Sequence, residues 1–447
     1  MIDDQANAKL VEDQNKADEL YTAEFLEEVN NYSDRIVERN DYVNEFFLYF
    51  VVPQLERTRQ LKMQNNTEIE NSVCYWNYFK FTLHGVYLFF ISVFYSVVIP
   101  SYVLLKYRRN EKRLNPTQSL AVIRSPATYS KMAFLKNQGV LFYADSLVFS
   151  SADVELSLYS QSFLSRLIGV FVIPWLSIKD FFSLFLMVRR HLGFVSAVGM
   201  LSYYRKRLSH KVTFGFYLSR LLKNVKPHVF YTGNKEDRFA LIEKRLCHEV
   251  GIKSVCIPHG LEYSFKMPGG LVGDIFYCNS ESAKYHLESL YAQSRTKFLF
   301  DENVVFKMLS RHTEALSSKK LVFFPESREP EKNLVIIDFL KRQGFDFLVK
   351  LHGKDSLENY RSVIDESCLV DDFDQAISNS ICLARKSTVL LEAIYNHSVP
   401  IAILVDMKDR AYFEFMFPSL KDESILKVYS FDELKSLVKI LRAQNVQ

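Results

Sequence analysis

At 447 residues, 48% apolar and 24% charged, the chain is globular in composition and longer than one hydrophobic core usually organises. This excludes a disordered or fibrous protein and predicts two domains. The net charge of +4 is uneven: residues 1–72 carry −9 and the rest +13, a basic body suited to phosphate-bearing ligands or an anionic membrane, with no zinc-finger spacing or groove-binding basic helix to suggest nucleic acid.

The acidic N-terminal stretch has no glycine and one proline, Pro53, while Leu20, Phe25, Val29 and Ile36 recur near helical spacing. One or two amphipathic helices are expected over residues 1–80, packed on the body or offered to a partner. Between Lys80 and Lys106 stand 25 residues without a formal charge, followed by Lys106, Arg108, Arg109, Lys112 and Arg113. Residues 81–118 are therefore expected to form a membrane-associating segment and basic linker. The apolar part is long enough to cross a bilayer; the other arrangement lies in the interface, bent at Pro100, with the basic residues on anionic headgroups. A second tract, LIGVFVIPWLSIKDFFSLFLMV, is interrupted by Lys179 and Asp180 and reads as too broken to span.

The first forty residues show no signal peptide. The six cysteines, Cys74, Cys247, Cys256, Cys278, Cys368 and Cys382, form no CxxC pair, which points to reduced thiols in a reducing compartment and to no structural zinc.

From residue 119 short β-rich runs alternate with amphipathic helices. SLAVIRSP, GVLFYADS, HVFYTGN, KSVCIPHG and DIFYCNS make one series over residues 119–300. KLVFFPES, FDFLVKLHG, SCLVDD, ICLARKS and VPIAILVD make another over residues 301–447. The fold expected is α/β: two Rossmann-like parallel-sheet domains facing across a cleft, with an N-terminal helical extension.

Ligands of open parallel sheets bind beyond the carboxyl ends of the strands, so the polar residues there are the candidates. The second series supplies Glu326, Ser327 and Arg328 from PESRE; Lys350, His352 and Lys354 from KLHGKD; and Ser387, Thr388 and Glu392 from RKSTVLLEA. Ser387 and Thr388 open a helix, either as caps or as the rim of a phosphate site, and Glu392 stands one turn deeper, suited to ribose hydroxyls. The first series supplies Asp145, Asn234 and Glu236 of TGNKED, and His259, Gly260 and Glu262 of PHGLEY. Histidine titrates near neutrality, glycine admits close approach, and Glu262 is placed to orient the ring or act as the base. VDDFD is read as a helix start, so a metal site is not expected.

With IPHG, KLHG and KSTVLLEA in that order over roughly residues 225–405, the chain resembles the GT-B class of bacterial surface-polysaccharide transferases. The likeness is to capsule-polysaccharide biosynthesis proteins and their relatives, the CDP-glycerol glycerophosphotransferases and the bacterial sialyl- and polysialyltransferases. Those families often show His-Gly, then Lys-x-His-Pro, then paired hydroxyl residues before a helix with glutamate; KLHG and Lys386-Ser387-Thr388 depart from that pattern. The resemblance implies a metal-independent, inverting glycosyltransferase without cofactor, at the cytoplasmic face of the inner membrane. Its nucleotide-sugar donor would sit on the second domain and its glycan or lipid-linked glycan acceptor on the first. His259 and Glu262 would be catalytic, and Asp145, Asn234, Glu236 and Gly260 would line the acceptor side. Polyol-phosphate transfer from a CDP donor and a non-catalytic, membrane-anchored component of a polysaccharide assembly complex are the alternatives, with a nucleotide-sugar epimerase as a lesser one.

Overall fold

The strands predicted from residue 119 onward form two separate sheets in a computed structural model that describes residues 22–63, 75–108, 119–311, 320–327, 329–353 and 355–444. Leu20, Cys74, Arg109, Lys112 and Arg113, and the site candidates Arg328 and Lys354, lie outside the described residues. The first sheet contains β1 (Leu120–Ile123), β2 (Leu141–Ala144), β3 (Leu156–Ser157), β4 (Val229–Thr232), β5 (Lys253–Cys256), β6 (Ile275–Tyr277) and β7 (Lys297–Leu299), in the order β3-β2-β1-β4-β5-β6-β7. The second contains β8 (Lys320–Phe323), β9 (Leu348–Val349), β10 (Ser380–Ala384), β11 (Val399–Ile403) and β12 (Leu426–Val428), in the order β12-β11-β10-β8-β9. Every pairing is parallel. β1 and β10 are buried along their whole length, as expected of parallel strands covered on both faces.

The N-terminal helices are packed on the first domain. The Ala23–Arg35 helix, capped by Thr22, buries Phe25 and Val29. After it come Val43–Phe46, a π-helical turn at Phe47–Val51, and Val52–Met63. Asn44, fully buried, donates through Nδ2 to the carbonyls of Glu236 and Gly270 (both 2.9 Å) and accepts the Gly269 N–H (2.7 Å). Beside it Glu45 takes Arg238 at 2.7 Å and the Tyr204 hydroxyl at 2.6 Å. Residues two hundred positions apart in sequence thus fix the loop after β4.

Two apolar helices, Tyr75–Lys106 and Phe163–Tyr204, run antiparallel: Phe89 meets Phe181 edge to face, and Arg166 donates to the Leu104 carbonyl. The first lacks the bend at Pro100 that one of its two expected arrangements required, and the second is not broken where expected. The first continues through Pro100 without a break. The second continues through Lys179 and Asp180, because Lys211, itself buried, lies 3.0 Å from the Asp180 carboxylate and offsets its charge. It is kinked instead at Gly193, whose φ of 82° only glycine adopts readily. Both helices are long and apolar enough to cross a membrane, and 28% of each apolar stretch is buried.

The two sheets meet through one apolar cluster that joins Ile123, Met132, Ile257 and Leu261 of the first domain to Phe324, Ala384, Leu390 and Leu391 of the second. Polar contacts cross the same boundary. Ser264 N–H donates to the Met416 carbonyl (3.0 Å), and Ser419 donates to the Glu262 carboxylate. The Glu392 carboxylate, 8% exposed, meets Lys131 of the first domain and Arg311, each at 2.7 Å. Removing it leaves Lys131, 7% exposed, as an uncompensated cation. Glu392→Gln is accordingly expected to lower unfolding free energy by about 3–5 kcal/mol, and the Lys131→Met/Glu392→Gln pair by less than the sum of the single losses. Denaturant titration of the four proteins tests this; additive losses would show that the pair is not coupled.

Candidate functional site

In an open α/β sheet the crevice forms where strand order reverses. In the second sheet the chain steps from β8 to β9 on one side and then returns to β10 on the other, so the reversal lies at the carboxyl end of β8. A cavity of about 390 Å³ opens there, a size suited to a small-molecule ligand. Its polar lining is Glu326 and Ser327 after β8, Lys350 and His352 after β9, and Ser387 after β10. Phe324 and Phe373, with ring centroids 6.1 Å apart, form an apolar wall.

Each polar residue is held by local structure. Glu326 accepts the Lys386 backbone N–H at 2.9 Å, tying the loop after β8 to the loop after β10; burial raises its pKa against the pull of Lys386 and Arg385. The Glu326 carbonyl accepts from Asn333, which also donates to Tyr360, and Tyr360 donates to Asp355 at 2.6 Å; this chain supports the KLHG turn from below. Lys350 rests its ammonium on the Leu351 carbonyl at 3.2 Å, and His352 is exposed. The Ser387 hydroxyl accepts the Val389 N–H at 3.3 Å at the start of a six-residue helix, Val389–Ile394. Arg385 and Lys386 are occupied with Asp409 and Glu329 and take no part in the cavity lining. The structure therefore gathers Glu326, Ser327, Lys350, His352 and Ser387 around one cavity. Thr388 is not part of its wall, and Glu392 is not available to a ribose, because both of its oxygens face cations at the domain boundary.

On the first sheet the reversal lies between β1 and β4. There Arg124, at the end of β1, sits over the Phe239 ring at 3.1 Å and reaches Asp145 (3.2 Å) and Asp237 (3.4 Å). Asp145 is fully buried; His210 at 2.9 Å, Arg124 and the Tyr159 hydroxyl overcome its desolvation and hold its pKa at about 2. It is a structural charge, not an acceptor-side group. Asn234 is likewise internal, donating to Glu243 at 3.0 Å. Glu236 pairs with Lys235 at 3.2 Å; burial lifts its pKa to about 7.

His259 has a different environment. It follows β5 and Pro258, and its Nδ1 lies 2.6 Å from the Gly233 carbonyl. That carbonyl can come so close because Gly233 packs on Thr128, where an added Cβ would lie 2.5 Å from a methyl group. The acceptor at Nδ1 selects the Nδ1–H tautomer and leaves Nε2 as the basic atom. The residue is exposed to solvent, yet crowding by surrounding protein lowers its pKa, aided by Lys235 and Arg124. Gly260 beside it faces open space: an added Cβ would meet only Lys235, at 3.9 Å. Glu262 does not orient the ring; it is buried and accepts from the Asn279 N–H (3.0 Å), the Asn279 side chain (2.8 Å) and Ser419.

Ile257 and Leu261, which flank His259, pack in the same cluster as Phe324 of the cavity wall, so the imidazole and the cavity border one domain boundary. Arg124, Asp237 and Gly233 were not singled out from sequence. The available signal was position, since each follows a strand of the first series.

No protein-family model matches the chain, and no curated protein matches it. Among solved structures, the UDP-GlcNAc 2-epimerase from Neisseria meningitidis, bound to UDP-GlcNAc, aligns over 73% of this chain and 90% of its own, with 11% identity and a TM-score of 0.43.

The support beneath the β4 loop carries its own pH dependence. Burial raises the Glu243 pKa from 4.5 to about 8. The folded state then keeps a proton that the unfolded chain releases, so stability is full below pH 4.5 and declines as pH rises toward 8. Glu243→Gln should flatten the fall in Tm between pH 5 and 9; parallel profiles for the two proteins would place the titration elsewhere.

Proposed function

We propose that the chain is a membrane-associated glycosyltransferase that moves a sugar, with inversion and without a metal, from a nucleotide-sugar to a lipid-linked or polymeric surface glycan. The observation that carries this reading is the open cavity at the strand reversal of the second sheet, lined by a lysine, an imidazole and two serines. A diphosphate needs positive charge and hydrogen-bond donors where the leaving oxygen gains charge, and Lys350, His352, Ser327 and Ser387 supply them. Phe324 and Phe373 offer the base an apolar face, and Glu326 is placed to accept from a ribose hydroxyl.

Nε2 of His259 removes the proton of the acceptor hydroxyl; the acceptor oxygen bonds to the anomeric carbon from the side opposite the phosphate; the carbon–oxygen bond to the diphosphate breaks, and the nucleoside diphosphate departs with the electron pair. The imidazolium later returns its proton to solvent. A lowered pKa keeps the ring neutral, and so able to act as a base, at physiological pH. In this reading the protein docks on the cytoplasmic face of a membrane; the exposed apolar faces of the Tyr75–Lys106 and Phe163–Tyr204 helices support the membrane contact, since a core helix of a soluble protein would be mostly buried.

Thermal-shift titration with CMP, CDP, UDP and GDP tests the donor site: one nucleotide should raise the unfolding midpoint, and His352→Ala or Ser387→Ala should weaken that binding by about tenfold. Unchanged binding in both variants would remove the cavity from the reading. His259→Ala should bind the same nucleotide normally while kcat/KM falls by about 10²–10⁴-fold. Because only the neutral ring serves as base, kcat/KM of the native protein should rise with pH through a midpoint below 6.5 and then level off. A midpoint well above that value would point to another base.

A further inference from the structure

A second cavity, of about 1230 Å³, lies away from the strand ends. It is a groove on the first domain between the Phe163–Tyr204, Arg207–Val225 and Arg238–Val250 helices, closed on one side by residues 38–43. Its floor is apolar over Leu176, Val212, Phe216 and Ile242. Its charges are not balanced. The four carboxylates of the lining each already meet a cation: Glu38 meets Arg190, Asp41 and Asp180 meet Lys211, and Glu249 meets Arg245. Among the described residues, five lining cations meet no carboxylate at ion-pair distance: Arg39, Lys179 and Lys244, the last donating to the Gly269 carbonyl at 3.0 Å, and the pair Arg220 and Lys223, one helical turn apart at one end of the groove. Arg220 is nonetheless held in place, with its guanidinium 4.6 Å from the Phe216 ring and Nη1 donating to Ser165 at 3.2 Å.

The position of this pair along the apolar helices narrows the ligand. Arg220 touches Ser165, and the next residue, Arg166, donates to the carbonyls of Leu104 and Tyr107. Arg220 and Lys223 therefore stand at the same end of the helix pair as Lys106 and Arg108. From there the apolar floor leads toward Leu176, next to Trp175, which is 71% exposed. The adjacent pair Arg220 and Lys223 at one end, with the apolar residues Phe216, Val212 and Leu176 beyond it in a groove of net positive charge, suits a molecule with a phosphate at one end and a hydrocarbon chain at the other.

We propose that this groove binds the headgroup phosphate of an anionic lipid between Arg220 and Lys223, with the lipid chain lying over Leu176, Val212 and Phe216. The proposal rests on the membrane reading of the two long helices, but not on the donor cavity. The test uses the full chain carrying Trp76→Phe, so that Trp175 is its remaining tryptophan, titrated with short-chain lipids below their micellar concentration. Dihexanoyl phosphatidic acid should shift Trp175 emission to the blue at a concentration at least tenfold lower than dihexanoyl phosphatidylcholine requires. Arg220→Gln/Lys223→Gln should abolish that preference, and Arg220→Lys, which keeps the charge, should retain it. If the double variant fails to fold by circular dichroism, Lys223→Gln alone, at an exposed position, should reduce the preference. Equal response to the two lipids, an unchanged preference in the folded variants, or full displacement of the lipid by the same concentration of inorganic phosphate would overturn the proposal. Because no bilayer is present, loss of vesicle binding by the helix pair and failure of the groove are read separately.

Discussion

A buried carboxylate at the domain boundary governs how the two sheets stand to one another. Glu392 takes Lys131 from the first domain and Arg311 from the segment leading into the second, each at 2.7 Å, within an otherwise apolar contact. Three desolvated charges are stable there only while all are present, since each alone would face a large desolvation penalty. The apolar cluster around them supplies attraction without direction, whereas the ion pairs specify which turn of the Pro126–Met132 helix meets which turn of the Val389–Ile394 helix. The edge bearing His259 and the edge bearing the cavity thereby border the same interface.

Several acidic residues that look chemical in sequence turn out to satisfy the scaffold. Loops after parallel strands leave backbone N–H groups and arginines that must find partners when another domain covers them. Glu262 answers Asn279 and Ser419, Asp145 answers Arg124, His210 and Tyr159, and Glu392 answers two cations. What remains open is the set whose partners are weak or local: Lys350 on a neighbouring carbonyl, Ser387 on its own helix start, and His259 held through one nitrogen with the other directed away.

The N-terminal region belongs to the same logic. Asn44 and Glu45 reach the loop after β4 and the start of the following helix, so the acidic extension that sequence marks as separate is part of the support beneath the first domain's strand ends. Its outer side, with the Phe163–Tyr204 helix, also walls the basic groove.

Local pattern alone determined the alternation of short apolar strands with amphipathic helices, the two series of strands, the helical N-terminal stretch and the apolar segment near residues 81–105, because each depends on periodicity within some twenty residues. Strand-end position likewise picked out Glu326, Ser327, Lys350, His352, Ser387 and His259, since parallel sheets bring those ends to one edge whatever the details of packing. Which of the neighbouring polar residues stay accessible was decided only by tertiary structure. Lys131 and Glu392 are 261 positions apart, and Asn44 and Gly270 are 226 apart. The same distance in sequence explains why Asp180 does not interrupt its helix: its counter-charge, Lys211, arrives from the following helix, and no window along the chain contains that pairing as a contact.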